Sequence, residues 1–198
     1  KKLEFYGQQL VDALAPTNFP LTNPTVLSEM KETGGENLVR GMNNLIQDLQ
    51  NGPGGLQPKQ MNIDDFELGR DIATTPSSVV YETPFMQLIQ YEATTKDVHK
   101  KPLLIIPPWI NKFYILDLRE DNSFIKWAVD QGHTVFVVSW VNPDESYRDK
   151  SFDDYVEGGI FAALEGVEKA TGEREVNAIG YCIGGTLLAA TLARMADE

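Results

Sequence analysis

The sequence is poor in cysteine, in basic residues and in long apolar runs, and each shortage excludes a class of protein. One cysteine among 198 residues rules out an intrachain disulfide and fits a reducing compartment. No apolar run approaches the roughly 20 residues of a transmembrane helix, and no secretory signal opens the chain. Lys and Arg total 17 against 29 Asp and Glu, a formal net charge of −12. We therefore expect no membrane span and no nucleic-acid partner, because nucleic-acid-binding proteins carry basic patches.

The most informative motif surrounds the single cysteine. Residues 180–184 read Gly-Tyr-Cys-Ile-Gly, the G-x-nucleophile-x-G form of an elbow that turns a strand sharply into a helix. Residues 176–179 predict a short buried strand, and the small and apolar residues 184–195 predict a helix. The flanking glycines should let the backbone turn sharply and let the helix cross close to the strand. The helix N-terminus favours the thiolate of Cys182, which is the predicted nucleophile.

A lone cysteine is more often a small buried hydrophobe than a nucleophile, so the two interpretations must be weighed. The strand predicted before Cys182 and the helix predicted after it favour the nucleophile. We expect neither a metal nor a cofactor.

The first quarter of the chain differs in pattern from the rest. Residues 1–50 predict helices, with five apolar residues on one helical face: Leu38, Met42, Leu45, Ile46 and Leu49. Residues 51–55, Asn-Gly-Pro-Gly-Gly, are the richest cluster of helix breakers and predict a boundary. We therefore expect a helical N-terminal region over 1–55 and a second domain over 56–198.

The second domain predicts an α/β fold. Apolar runs at 78–82, 86–91, 103–106, 134–140 and 176–181 predict strands. Helices are predicted over 122–131 and from Ser151, at the start of a capping box, to Thr171. The last three strands alternate with these helices, which is typical of a mostly parallel sheet built by right-handed crossovers. Together with the elbow, this pattern predicts an α/β-hydrolase-type sheet that is incomplete at its C-terminus.

An elbow of this kind uses two backbone N–H groups to stabilise an oxyanion. The first belongs to the residue after the nucleophile, Ile183. The second comes from the loop after the third strand, here Pro-Pro-Trp-Ile-Asn-Lys at 107–112. Proline has no N–H, so Trp109 or Ile110 is the predicted second donor, and Asn111 is a candidate pocket residue. On composition alone, the two prolines would simply end the strand.

A second loop should reach the same edge of the sheet, because the ligands of open α/β sheets bind at the carboxyl ends of the strands. Trp140 ends the strand over 134–140, and Asn-Pro-Asp follows at 142–144. Asn-Pro-Asp is typical of a turn, which favours a structural role for Asp144. Trp140 is either a core residue or a wall of the substrate pocket.

The two histidines do not stand where a catalytic base is expected. His99 falls in a polar loop, and His133 precedes a strand at the edge of the sheet opposite to Cys182. In the α/β-hydrolase order both the acid and the base follow the nucleophile along the chain. We therefore expect that the chain lacks its own general base and is inactive alone. The missing initiator Met and the abrupt end of the last predicted helix at 196–198 indicate that the chain is cut at both ends.

Several stretches resemble the polyhydroxyalkanoate (PHA) synthases, and most closely the class I enzymes. The resemblance is carried by 102–118 (PLLIIPPWINKFYILDL), 131–144 (QGHTVFVVSWVNPD) and 180–186 (GYCIGGT). Residues 6–19 (YGQQLVDALAPTNF) and 34–38 (GGENL) resemble the end of that family's N-terminal helical region. The resemblance covers nearly the whole chain.

This resemblance implies an acyltransferase that polymerises short-chain 3-hydroxyacyl-CoA, such as 3-hydroxybutyryl-CoA, and releases CoA. Cys182 would attack the substrate thioester, and the growing polyester chain would be a second partner. The resemblance also implies a homodimer, a cytoplasmic location at the surface of polymer granules, and a catalytic Asp and His beyond residue 198.

Two other functions remain open. A cysteine-dependent α/β-hydrolase that cleaves esters or thioesters would begin with the same attack and end with water. A non-catalytic scaffold on granules would keep the fold without the acid and the base, because a thiol alone turns over poorly.

Overall fold

The computed structural model describes residues 1–50, 58 and 65–197. The chain divides into two compact units, Lys1–Asn62 and Ile63–Glu198. The predicted boundary at 51–55 lies outside the described residues. No helix among the described residues is both long and apolar enough to cross a membrane.

Residues 1–50 of the first unit contain three α-helices, in agreement with the helical pattern of their sequence. They are α1 (Lys2–Ala13), α2 (Pro24–Glu32) and α3 (Glu36–Gln50). Asn23 caps α2 by accepting a hydrogen bond from the N–H of Thr25 at 2.9 Å, and Pro24 occupies the first helical position. The predicted apolar face of α3 is present, and its five residues are 38–56% exposed.

The second unit is built on a five-stranded mixed sheet with the strand order β1-β2-β6-β3-β7. Its strands are β1 (Ser77–Glu82), β2 (Met86–Tyr91), β3 (Leu103–Ile106), β6 (Val135–Trp140) and β7 (Asn177–Gly180). The short segments β4 (Asp117–Arg119) and β5 (Asn122–Ser123) form a separate antiparallel pair. The sequence predicts that β3, β6 and β7 are parallel, and in the structure β3 does pair in parallel with both β6 and β7. The first two strands form a hairpin, and β2 pairs with β6 antiparallel, so half of the pairings are not parallel.

Helices cover both faces of this sheet. The helices are α4 (Phe124–Asp130), α5 (Phe152–Tyr155), α6 (Ala162–Thr171) and α7 (Ile183–Asp197). The apolar residues of α4 pack on one face, and those of α6 and α7 pack on the other. Residues 135–138 of β6 are fully buried between the two layers. A strand covered on both faces explains why this run is continuously apolar.

Two predicted helices differ from the structure in their bounds. The helix predicted over 122–131 begins at Phe124, because Asn122 and Ser123 form β5 and Ser123 caps the helix through the N–H of Lys126 at 2.8 Å. The helix predicted from Ser151 to Thr171 begins with the expected capping box, but a π-helical segment over Val156–Phe161 separates α5 from α6. This segment places Gly159 against the ring of Trp140, at the end of β6.

A buried carboxylate ties three parts of the second unit together. Asp117 is fully buried and accepts hydrogen bonds from the Oγ atoms of Thr75 and Ser123, both at 2.6 Å, and from the N–H of Thr75 at 3.2 Å. These bonds join the segment before β1, the end of the loop after β3 and the cap of α4. Burial, together with the nearby charge of Asp117, raises the pKa of Tyr91.

Removing one donor of this network should destabilise the protein. We expect Thr75→Val to lower the free energy of unfolding by about 2 kcal/mol, because a hydrogen bond to a buried charge is lost without a large change of shape. Thr94→Val is the matched control, since the exposed Thr94 hydroxyl donates to Asp130 at 2.8 Å. This control should cost less than about 0.5 kcal/mol. Chemical denaturation of both variants measures the difference, and equal losses would show that burial of Asp117 does not matter.

Candidate active site

The single cysteine lies in the sharp turn between β7 and α7. Cys182 has φ = +55° and is exposed, and the helix begins at the next residue. Its carbonyl oxygen accepts a hydrogen bond from the N–H of Gly185 at 2.9 Å, which closes the first turn. A residue other than glycine in this left-handed region is uncommon and marks local backbone strain. The thiol is therefore presented to solvent at the N-terminus of a 15-residue helix.

The glycines around Cys182 serve close packing more than the turn itself. A Cβ atom on Gly184 would overlap the carbonyl oxygen of Ile106 and lie 2.9 Å from the carbonyl oxygen of Pro107. A Cβ atom on Gly180 would lie 2.5 Å from the Cα atom of Gly185. The prediction that these glycines let the helix cross close to the strand is confirmed. The left-handed conformation of the turn, however, is adopted by Cys182 and not by a glycine.

The loop after β3 lies directly beside the elbow. The N–H of Tyr181 donates to the carbonyl oxygen of Ile106 at 3.0 Å, so the end of β3 is bonded to the turn that carries the thiol. Pro107 and Pro108 are buried, Trp109 is half-buried, and Ile110 is 78% exposed. Within residues 65–197, the N–H groups of Trp109 and Ile110 make no backbone hydrogen bond. Two free donors thus stand in the loop that approaches the first turn of α7.

Trp140, at the end of β6, is bonded to this loop. Its indole Nε1–H donates to the carbonyl oxygen of Pro107 at 2.7 Å, and its side chain is only 9% exposed. The next loops are also joined, because the Nζ atom of Lys112 contacts Oδ1 of Asn142. Asn111 is exposed. The structure therefore brings the predicted site residues to one edge of the sheet, with Trp140 largely inside it.

Aromatic side chains from the helix layer pack on the loop. The centroid of the Trp109 ring lies 5.1 Å from the ring centroid of Tyr155, 6.0 Å from that of Trp140 and 6.2 Å from that of Phe152. Burial raises the pKa of Tyr155, which keeps its phenol neutral. The sequence alone does not place Phe152 and Tyr155 at the site. Their position on the apolar face of a helix predicts that they are buried, but it does not predict that they pack against Trp109.

The histidines and Asp144 have other surroundings. His99 and His133 lie at the amino ends of β3 and β6, with ring centroids 4.6 Å apart, and Nε2 of His99 contacts the carbonyl oxygen of Gln131 at 3.2 Å. Asp144 accepts hydrogen bonds from Oγ and N–H of Ser146, which lower the pKa of its carboxyl group. It caps a short 3₁₀ helix in the predicted turn. Neither histidine stands beside Cys182.

Comparison with known proteins shows which family this chain comes from. The family model described as "Poly-beta-hydroxybutyrate polymerase (PhaC) N-terminus" matches residues 1–128. The chain belongs to the PhaC family. The poly(3-hydroxyalkanoate) polymerase subunit PhaC of Rhizobium etli is 56% identical over 197 residues, which are 100% of this chain and 31% of that protein. The subunit of the same name in Cupriavidus necator is 42% identical over 196 residues, 99% of this chain and 33% of that protein.

The chain spans about a third of the length of these PhaC relatives. A further subunit of the same name, from Rhizobium meliloti, is 55% identical over 197 residues, which are 32% of its length. The family assignment therefore rests on the amino-terminal part of the relatives.

Within the described residues, no group of three or more His, Cys, Asp or Glu side chains could hold a metal ion.

The strained turn of this PhaC segment gives a prediction about stability. We expect Cys182→Gly to be more stable than Cys182→Ala by about 1 kcal/mol, because glycine alone adopts the left-handed conformation without a steric cost. Gly172→Ala is the matched reverse change, since Gly172 has φ = +74° and open space where a Cβ would lie. It should destabilise by about the same amount. Denaturant unfolding measures all three, and equal stability of the two Cys182 variants would mean that the turn carries no strain.

Proposed function

We propose that the protein containing this chain polymerises short-chain 3-hydroxyacyl-CoA into polyhydroxyalkanoate and releases CoA, with Cys182 as the covalent nucleophile. The observation that carries this proposal is the exposed thiol of Cys182, held at φ = +55° between a parallel strand and a helix N-terminus. That is the position of the nucleophile in an elbow. The proposed product, polyhydroxyalkanoate, is taken from the names of the PhaC relatives, which are poly(3-hydroxyalkanoate) polymerase subunits.

The fold that we propose for residues 56–198 is the first part of an α/β-hydrolase domain, after a helical region over 1–55. Three features support it. The order β1-β2-β6-β3-β7 has antiparallel strands at one side and parallel strands at the other. The elbow follows a parallel strand, and a loop with free N–H groups follows its neighbour β3. The carboxyl ends of β3, β6 and β7 meet at this edge, where such sheets bind ligands.

The first half of the proposed reaction acylates the cysteine. The thiolate Sγ of Cys182 attacks the carbonyl carbon of the acyl-CoA thioester, and a new C–S bond forms. The N–H groups of Ile183 and of Trp109 or Ile110 donate to the oxyanion of the tetrahedral intermediate. When the intermediate collapses, the C–S bond to CoA breaks and CoA leaves as a thiolate, so one thiolate replaces another and the step consumes no proton.

The second half extends the polyester. The hydroxyl group of another 3-hydroxyacyl group attacks the acyl thioester on Cys182, an ester bond forms, and the thiolate of Cys182 is released. A base must take the hydroxyl proton, and His99 and His133 stand at the opposite edge of the sheet. We propose that a His and an Asp from residues outside this chain complete the site. Residues 1–198 alone should then be inactive.

The proposed setting of the enzyme follows the family. It acts in the cytoplasm at the surface of polymer granules, as a homodimer, with no cofactor. Asn111 and Trp140 remain candidate residues of the substrate pocket. The exposure of Asn111 beside the free N–H groups of the loop supports its place there.

An assay of the full-length protein with 3-hydroxybutyryl-CoA tests this function. We would measure free CoA with a thiol reagent and weigh the chloroform-soluble polymer. Release of CoA with formation of polymer is the expected result. Release of CoA without polymer would instead identify a thioesterase or hydrolase, and an intact protein that releases no CoA would support the scaffold.

A further inference from the structure

Two consecutive carbonyl groups at the end of β3, those of Ile106 and Pro107, accept hydrogen bonds from the elbow and from β6. The carbonyl oxygen of Ile106 accepts from the N–H of Tyr181 at 3.0 Å, and that of Pro107 accepts from the indole N–H of Trp140 at 2.7 Å. The second bond is buried. It is the contact that fixes the Pro107–Pro108 peptide plane, because the nitrogen of Pro108 carries no hydrogen with which to donate.

The orientation of this peptide plane controls where the next N–H groups point. The ring of Pro108 fixes its own φ near −65°, so of the two backbone rotations between the Pro107 carbonyl and the N–H of Trp109 only the ψ of Pro108 is left. Within residues 65–197 neither Trp109 nor Ile110 donates a backbone hydrogen bond that would hold the loop from its other side. The indole bond is therefore the nearest fixed point before the two free donors.

The indole of Trp140 is itself locked in place. A Cβ atom on Gly159 would lie 2.6 Å from Cζ3 and 2.7 Å from Cη2 of the Trp140 ring. Gly159 belongs to the π-helical segment Val156–Phe161, and such segments are frequent at functional sites. The ring also packs against the rings of Tyr155 and Trp109, with centroid distances of 5.6 Å and 6.0 Å.

We infer that Trp140 is a positioning residue that sets the oxyanion-stabilising loop through its bond to the Pro107 carbonyl, and that Gly159 provides the space for its ring. This inference rests on the proposed function, since an oxyanion must form for the loop to matter. Trp140 then acts through its indole N–H group, in addition to its proposed place in the wall of the substrate pocket. A displaced loop would weaken oxyanion binding without changing the nucleophile.

The test compares two reactions of Cys182 in the full-length enzyme. Acylation by 3-hydroxybutyryl-CoA needs the oxyanion donors, whereas alkylation by iodoacetamide forms no oxyanion and needs only the thiolate. We expect Trp140→Phe to lower kcat for CoA release by about 10- to 100-fold, somewhat less than the loss of a whole oxyanion donor. The alkylation rate should stay within about twofold, and KM within about threefold. Gly159→Ala, which pushes the ring without removing the N–H, should lower kcat in the same selective way.

Trp127→Phe is the matched control, because Trp127 is 56% exposed on α4, on the other side of the sheet, and should leave both rates unchanged. The inference is overturned if Trp140→Phe and Gly159→Ala keep wild-type kcat. It is also overturned if acylation and alkylation fall together, since that pattern means general damage to the elbow. If Trp140→Phe does not fold, Gly159→Ala decides the question. A wild-type enzyme that is alkylated but releases no CoA would reject the proposed function and this inference with it.

Discussion

Cys182→Ala in the full-length enzyme is expected to lower the rate of CoA release from 3-hydroxybutyryl-CoA by at least about 10⁴-fold. In the proposed reaction the thiol forms the covalent intermediate, and no other cysteine in these 198 residues could replace it. The change removes one exposed atom, so the fold should be preserved. Steady-state release of CoA, measured beside circular dichroism of both proteins, checks both parts of this prediction.

Cys182→Ser is the more demanding control, because it keeps the size and the polarity of the side chain. A serine hydroxyl is a far weaker nucleophile than a cysteine thiolate, and an acyl ester on serine would react more slowly with the incoming hydroxyl group than the acyl thioester does. We therefore expect a loss nearly as large as that of the alanine variant. If either variant retains more than about a tenth of the wild-type rate, the covalent role of Cys182 is wrong, since that remainder exceeds what binding and oxyanion donors alone supply.

Gly184→Ala is expected to have the largest effect on stability of any single methyl addition at the elbow. The added Cβ would meet only backbone atoms, the carbonyl groups of Ile106 and Pro107, which cannot move aside as a flexible side chain can. The first turn of α7 would have to separate from the end of β3. We expect a loss of about 3 kcal/mol in the free energy of unfolding, measured by denaturant titration, and a loss of activity.

The neighbouring Gly185→Ala is its matched control. A Cβ at that position would lie 3.1 Å from the carbonyl oxygen of Gly180, a tight contact that a small shift relieves. Alanine also gains about 1 kcal/mol in helix propensity over glycine, which offsets part of the cost. Gly185→Ala should therefore cost less than about 1 kcal/mol. If the two variants lost the same stability, close packing of Gly184 on β3 would not be the reason for the glycine.

The sequence was sufficient for features that depend on local pattern. The apolar run at 134–140 predicted the buried strand β6, and Ser151 with Asp154 predicted a capping box that the structure shows, with the N–H of Ser151 donating to the carboxylate at 2.7 Å. The G-x-C-x-G spacing predicted that a strand, a turn and a helix meet at Cys182. Each of these rests on neighbours within four residues along the chain.

Features that depend on distant contacts were not predictable in the same way. Asp117 looks like an ordinary loop acid in the sequence, because its partner Thr75 lies 42 residues away. The position of Trp140 at a strand end left open whether its indole faces a pocket or the core, and only the fold shows that its N–H meets Pro107. The π-helical segment before α6 likewise meets a distant residue, because Gly159 lies against that ring.

The central claim is that acyl groups pass through the thiol of Cys182, and trapping the acyl-enzyme tests it most directly. Full-length enzyme would be mixed with one equivalent of 3-hydroxybutyryl-CoA, quenched in acid within one turnover, digested and analysed by mass spectrometry. The account predicts a hydroxybutyryl thioester on the peptide that contains Cys182, absent after treatment with hydroxylamine and absent from Cys182→Ala. CoA release at the wild-type rate with no acyl group on Cys182, or with the acyl group on another residue, would contradict it.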